Sequence, residues 1–514
     1  MKFDFVVGFI FVFAVADVAA GVHNVKLDTS ADRVETPLQV NLTRLGTLRP
    51  RSAGEIRDSN WTLGCEVLDR DFANFDEYKE YLGPLGIKTI RLQGGWAKCE
   101  KEKGRYDFAW LDHIVDTARA GGLNVLLETD YGNPIYKGGG GWDLAGSFPT
   151  SEEALAAWDA WVGAMARHFR GRVRDWAMWN EPDGSGGPRM KTVEEIAAFN
   201  VRTAKIILGI IPDARIAGLS LVNNDPAYLE RCLVAMGEDV NLFHWFIYHG
   251  YSTAPEDSYR NVVAQKAVVA KYAPKARLRQ GENGCPSEMA TKFALSGTPW
   301  SEYSQAKWDM RRMLGDLGHG VESSVFTICD FNHAGREINL KGLLRADEAK
   351  NVIAVKRTYY AVQNVVSVFD DRWTLVEGSS YDKGFGTHDL TLATYEYVKD
   401  SGEPLFLFWV HGTEGAEYTP ADAKAFHDAP IRVGGVFLRR FSRPGDSFVT
   451  RPAVFRYTGA RLKDPVWVDL LTGRVYAYPQ AKQIVTKEGV RFLDVPVYDS
   501  PCLITERSAL TFDR

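Results

Sequence analysis

The sequence predicts a (β/α)8 barrel, the TIM-barrel architecture, followed by a smaller C-terminal antiparallel β-sandwich. Three observations point there. Between about residues 61 and 368, short apolar, β-branched runs alternate with amphipathic segments, and the runs count to eight. No GxGxxG follows the first run, as an open dinucleotide-binding sheet would favour. After about residue 369 the helical periodicity gives way to strand-like runs separated by turn residues. At 514 residues the chain is too long for one ordinary core, which agrees with two domains.

Taken in order, the chain opens with MKFDFVVGFIFVFAVADVAAG. Lys2 precedes an apolar run from Phe5 to Ala16, and small residues follow. That is the order of a secretory signal peptide over residues 1–20, cleaved after Ala20 or Ala16. The run is short for a membrane span, a retained N-terminal anchor being the alternative. A secreted or periplasmic protein with no integral membrane span after signal removal is expected. Residues 21–60 lack helix signals and are expected to add a strand to the sandwich. Asn41-Leu42-Thr43 is a glycosylation sequon.

The barrel is expected over 61–368, with strands at 62–67, 87–93, 124–130, 173–179, 215–220, 242–249, 277–282 and 323–329. Helix-like stretches lie between them, for example at 108–120, 152–169, 193–209, 256–271 and 302–317. In SEEALAAWDAWVGAMARHF, Ser151 can cap, acids fill the first turn, and apolar residues recur at helical spacing. The GGGG at 138–141 lacks the Lys-Ser/Thr of a phosphate loop and reads as a loop carrying Trp142 over the barrel mouth. Runs such as LTLATYEYV and PLFLFWVHG then predict the sandwich over 369–514.

Composition narrows the function. A net charge of −5 with no long basic run argues against a nucleic-acid partner. Six cysteines show no CxxC and no zinc spacing, so buried free thiols are the default, with one or two disulfides open to an exported chain. Aromatics make up 12%, including 14 Trp, which suits either core packing or flat platforms for sugar rings.

Barrel chemistry sits at the C-terminal ends of the strands. In WAMWNEPDG, Glu181 ends the fourth strand; in RLRQGENG, Glu282 ends the seventh. A Glu at a strand end is common, and Asn-Glu-Pro occurs by chance. The pair together is more telling. Two carboxylates facing each other across a pocket are the minimal equipment for glycoside hydrolysis: one protonates the leaving oxygen, and the other attacks the anomeric carbon or activates water. Arg91, in TIRLQGGW, would keep a nearby carboxylate ionised or else form a salt bridge low in the barrel. In FIYHGYS, period-two alternation puts His249 and Tyr251 on one face and Tyr248 on the other. His249 serves equally as a structural histidine or a sugar contact. His244 and His249 point oppositely, which argues against a shared metal.

WNEP followed by GENG resembles the retaining glycoside hydrolases of clan A, and most nearly family 39 and its relatives, whose barrels also carry a β-sandwich. The resemblance implies Glu181 as acid/base, Glu282 as nucleophile, and Asn180 as the group that hydrogen-bonds the sugar hydroxyl beside the anomeric carbon. It also implies Arg91 near the nucleophile and the His249-x-Tyr251 pair. The eighth strand of the clan commonly ends in a Trp that floors the sugar site; here SSVFTICDFN puts Phe326 in that place. Trp96, Trp142, Trp179 and Trp300 fall near the mouth and could supply the platform, and Glu128 and Asp130 could read sugar hydroxyls. A carbohydrate substrate is expected, with no metal or organic cofactor. The implied activity is a β-glycosidase of xylosidase or galactosidase type. A non-catalytic carbohydrate-binding protein and a transglycosidase on the same barrel are the alternatives. Nothing in the sequence bears on oligomeric state.

Overall fold

The computed structural model describes residues 25–144, 146–184, 191–333, 337–387, 390–411, 432–433, 436–437 and 448–513. The signal peptide predicted at 1–20 lies outside them. Eight parallel strands form the barrel: Trp61–Gly64, Thr89–Gln93, Asn124–Thr129, Asp175–Met178, Arg215–Leu221, Trp245–Tyr248, Arg277–Gln280 and Ser323–Val325. Successive strands pair in chain order, the first also pairs with the eighth, and a parallel bridge from Arg279 to Glu322 closes the ring.

The helices between the strands begin where the sequence supplies caps. The Ser151 hydroxyl accepts from Ala154 N at 3.1 Å and opens helix Glu152–Phe169. Thr192 with Glu195, and Ser301 with Ser304, make reciprocal boxes at the starts of Val193–Ile210 and Glu302–Gly318. The stretch expected as one helix at 256–271 is a 3-10 turn, Pro255–Ser258, running into helix Tyr259–Tyr272. The sixth strand, Trp245–Tyr248, is shorter than the expected 242–249; a 3-10 turn, Gly237–Leu242, takes its first expected residue.

Alternation along each strand sorts side chains between the interior and the helices. Leu126, Ala177, Ala217, Trp245 and Ile247 form a small apolar cluster of their own. Charged residues join them in the interior: Arg279 pairs with Glu322, and Arg91 with Glu66 and Glu128. The alternate residues, among them Leu127, Trp176 and Met178, belong to the large cluster shared with the helices.

Beyond the barrel the chain forms an antiparallel β-sandwich. One sheet runs Trp373–Leu375, Leu392–Lys399, Pro404–Val410, Cys502–Glu506, Pro465–Asp469, Arg474–Ala477, Thr43–Leu48, Phe512–Asp513. The facing sheet runs Tyr381–Lys383, Arg451–Tyr457, Gly489–Val497, Gln483–Thr486. Phe406, Phe408, Phe455, Trp467 and Phe492 fill the space between. The N-terminal strand Thr43–Leu48 pairs with Arg474–Ala477 on one side and Phe512–Asp513 on the other.

The sandwich is bolted to the barrel by buried polar contacts. Arg311 holds Glu256 (Nε to Oε1, 2.6 Å), and Trp409 of the sandwich donates to the same oxygen at 2.7 Å. Lys307 reaches Asp499 at 2.7 Å. All six cysteines are buried free thiols. Among the described residues no helix is long and apolar enough to cross a membrane.

Candidate active site

The fourth strand leaves the barrel through a contorted turn. Trp179 and Glu181 both take left-handed backbone conformations, with φ of 44° and 50°. Such conformations cost of order 1–3 kcal/mol each in non-glycine residues and gather at functional sites. The turn is held by Trp179 N donating to Thr129 O at 3.1 Å and Glu181 N donating to Ser220 O at 3.0 Å. The seventh strand leaves through Gly281, whose N–H donates to Tyr248 O at 2.8 Å. A Cβ there would stand 2.3 Å from Ile247 Cγ2 and 3.3 Å from the His249 ring, so only glycine lets Glu282 approach His249.

These exits bring the two carboxylates together over His249. Its Nδ1 is 2.7 Å from Glu181 Oε1 and 3.8 Å from Glu282 Oε2. One oxygen of each carboxylate and a His249 ring nitrogen all lie within 4.8 Å of one another. Tyr251 donates its hydroxyl to Glu282 Oε1 at 2.9 Å. Arg91, buried beneath, spreads its guanidinium over the whole group. Its Nη1 lies 3.2 Å from Glu282 Oε2 and 3.0 Å from Glu66 Oε1, and its Nη2 lies 2.7 Å from Glu128 Oε2 and donates to Asn180 Oδ1 at 2.6 Å. Donor atoms this close could suit a cation, but Arg91 already supplies positive charge at Glu282.

The electrostatics separate the two glutamates. Burial pushes Glu181 above the usual carboxylate range, and the charge of Glu282 adds to this, with His249 only partly opposing. Burial acts on Glu282 in the same sense. There the charges of His249 and Arg91 and the Tyr251 hydroxyl prevail and hold it below its ordinary value. Burial would lower His249, but the two carboxylates prevail and raise it. One carboxyl that keeps its proton therefore faces one that loses it early.

Both open into a cavity of about 340 Å³, at the lower end of the range for small-ligand pockets. Asn180, Tyr251 and Phe326 line it, as do Glu66, Arg70, Gln93, Tyr131 and Lys341. A larger cavity of about 820 Å³ lies on the sandwich beside Glu403, Lys463 and Arg507, away from the paired carboxylates.

The expected sugar contacts divide in two. Asn180, Tyr251 and Phe326 face the cavity; Arg91 and His249 lie behind its wall and act on the carboxylates. Trp96 requires correction. It is fully buried, stacked on Tyr136 and Trp161 at 5.6 and 5.9 Å, because the short helix Trp96–Cys99 turns it outward among the surrounding helices. Trp179 and Trp300 are likewise buried, while Trp142 is 46% exposed and lines a neighbouring cavity with Arg70 and Tyr131. Glu128 also requires correction: it is wholly buried against Arg91 and reads no sugar from there. Asp130 is buried beside it, pushed well up by burial and by Glu128. Glu66 escaped the sequence reading, although the strand-end rule that finds Glu181 and Glu282 applies to it. Arg70 closes a 3-10 turn, Leu68–Arg70, Tyr131 lies two residues beyond the third barrel strand, and Lys341 comes from a loop without a strand-end signature. Lys341 is buried and pushed down to about 8 by that burial.

Comparison with known proteins agrees with this fold. A family model described as Beta-galactosidase (Glyco_hydro_42) matches residues 71–134. A β-galactosidase, BgaA, of Clostridium cellulovorans is 33% identical over 51 residues, which is 10% of this chain and 8% of that protein. A family 39 glycoside hydrolase from Bacteroides cellulosilyticus WH2 superposes with a TM-score of 0.60 at 15% identity, over 90% of this chain and 83% of its own. A GH39 enzyme from Xanthomonas axonopodis pv. citri gives 0.53 at 16% identity, over 90% and 95%. A monomeric β-xylosidase from Caulobacter crescentus CB15 gives 0.52 at 14%, over 90% and 97%. The structural neighbours are glycoside hydrolases, and this chain has the barrel-and-sandwich fold of family 39 among them.

Proposed function

We propose that this chain is a retaining glycoside hydrolase that cleaves O-glycosidic bonds of an oligo- or polysaccharide, of β-xylosidase or β-galactosidase type. The observation that carries the reading is the pair Glu181 and Glu282, close together in one cavity with their proton affinities driven apart. Glu181, holding its proton, gives it to the glycosidic oxygen. Glu282, ionised under Arg91 and Tyr251, attacks the anomeric carbon and forms the glycosyl-enzyme. Glu181, now ionised, takes a proton from water, which displaces Glu282. The Asn180 amide nitrogen is left to a sugar hydroxyl, since its Oδ1 is taken by Arg91. Carboxyl groups roughly 5–5.5 Å apart serve retention, whereas inversion needs roughly 6.5–9.5 Å to admit water. A separation within 4.8 Å for the facing oxygens supports retention. The leader-like N-terminus supports secretion or a periplasmic location.

The test is a panel of nitrophenyl glycosides of both anomeric configurations, followed by Glu282→Ala with added azide. The expected product is a glycosyl azide of configuration opposite to the substrate. No turnover by the intact protein on any sugar, or azide product of unchanged configuration, would overturn the assignment.

A further inference from the structure

A third carboxylate faces the same cavity and has no part in the steps above. Glu66 stands two residues beyond the first barrel strand, is 4% exposed, and lines the cavity with Glu181 and Glu282. Its Oε1 accepts from Arg91 Nη1 at 3.0 Å, and the same nitrogen is 3.2 Å from Glu282 Oε2. Its Oε2 is buried and has no hydrogen-bond partner. The chain makes room for this carboxylate: a Cβ on Gly64 would stand 2.3 Å from Oε2.

We propose that Glu66 is a positioning residue of this site: it shares Arg91 Nη1 with Glu282 and so sets the charge on the nucleophile. The inference rests on the glycoside hydrolase reading. The groups that face Glu66 are Arg91, Glu128, Glu282, Tyr251, Tyr78 and the neighbouring Cys65. Burial pushes Glu66 up to about 7; Arg91 opposes this and Glu282 adds to it. Below that pH Glu66 is neutral and leaves Arg91 to Glu282 and Glu128. Above it, ionised Glu66 draws on Arg91, which leaves Glu282 more nucleophilic. It also adds negative charge beside an oxocarbenium-like transition state. Attack by Glu282 therefore quickens as pH rises through neutrality.

The probe is the 2,4-dinitrophenyl glycoside of the sugar found by the panel. Dinitrophenolate leaves without a proton, so kcat/KM follows Glu282 and not Glu181. Wild type is expected to gain activity through about pH 7. Glu66→Gln is expected to be flat there and roughly 10- to 100-fold slower at about pH 8, the loss of one charge-assisted hydrogen bond. Glu66→Asp keeps the charge one methylene short, so it should keep the neutral rise; it decides the matter if the Gln variant does not fold. A Glu66→Gln profile that still rises at neutrality, or a Glu66→Asp profile that has lost the rise, overturns the proposal while leaving the hydrolase standing. Wild type inert on every glycoside removes the hydrolase reading and this proposal with it.

Discussion

Replacing Tyr251 by Phe removes one hydroxyl and nothing else from the nucleophile's surroundings. That hydroxyl donates to Glu282 Oε1 at 2.9 Å, and burial together with Glu282 keeps it a donor by pushing its own pKa well up. A hydrogen bond to a charged group contributes about 1.5–3 kcal/mol, and 1.36 kcal/mol corresponds to about one pKa unit. Because the bond favours the ionised form, its loss should raise Glu282 by about one to two units. His249 and Arg91 remain, so Glu282 still ionises at neutral pH. The sign follows: the acidic limb of kcat/KM, where the nucleophile gains its proton, moves to higher pH by that amount, while the alkaline limb set by Glu181 moves little. The assay is kcat/KM against pH for the best nitrophenyl glycoside, wild type beside Tyr251→Phe, with circular dichroism to confirm the fold. An acidic limb that stays in place while activity falls evenly at every pH would refute the reasoning and make Tyr251 a substrate contact alone.

Glu256→Ala should cost about 3–5 kcal/mol of stability, since it strands the buried Arg311 and takes the acceptor from Trp409. Chemical denaturation measures this, and a loss under about 1 kcal/mol would remove the pair from any part in joining the domains. Trp96→Ala should cost about 3–5 kcal/mol through the void it leaves, with KM of the folded fraction unchanged; raised KM at undiminished stability would return Trp96 to the sugar site.

The barrel was legible because alternation along strands and caps at helices are written locally. Ser151, Thr192 and Ser301 begin helices where their hydroxyls can accept the first free N–H groups. Glu181 and Glu282 were legible by their place after strands four and seven. Depth was not: alternation turns Glu128 inward, but whether an inward residue reaches the cavity or stops short of it depends on neighbouring strands, here on Arg91, which pairs with its carboxylate. Direction off a strand end was not legible either. Gly94 and Gly95 send the chain away from the mouth, and Trp96 follows it into the packing around Trp158 and Trp161. The departure turns on a glycine with φ of 59°, a freedom that the sequence permits without specifying its use.

The strand Thr43–Leu48 ties the beginning of the described chain to its end, through Thr47 opposite Asp513 and Leu48 opposite Phe512. During synthesis this strand emerges before any of the barrel, and its partners emerge only after all of it. It must therefore wait unpaired while the barrel takes shape, and the second domain closes in a late, long-range step. The protein is for that reason indivisible in practice: a barrel cut free at its C-terminal boundary would carry an orphaned edge, and a transplanted sandwich would lack a strand. A functional fragment would have to carry both ends of the chain.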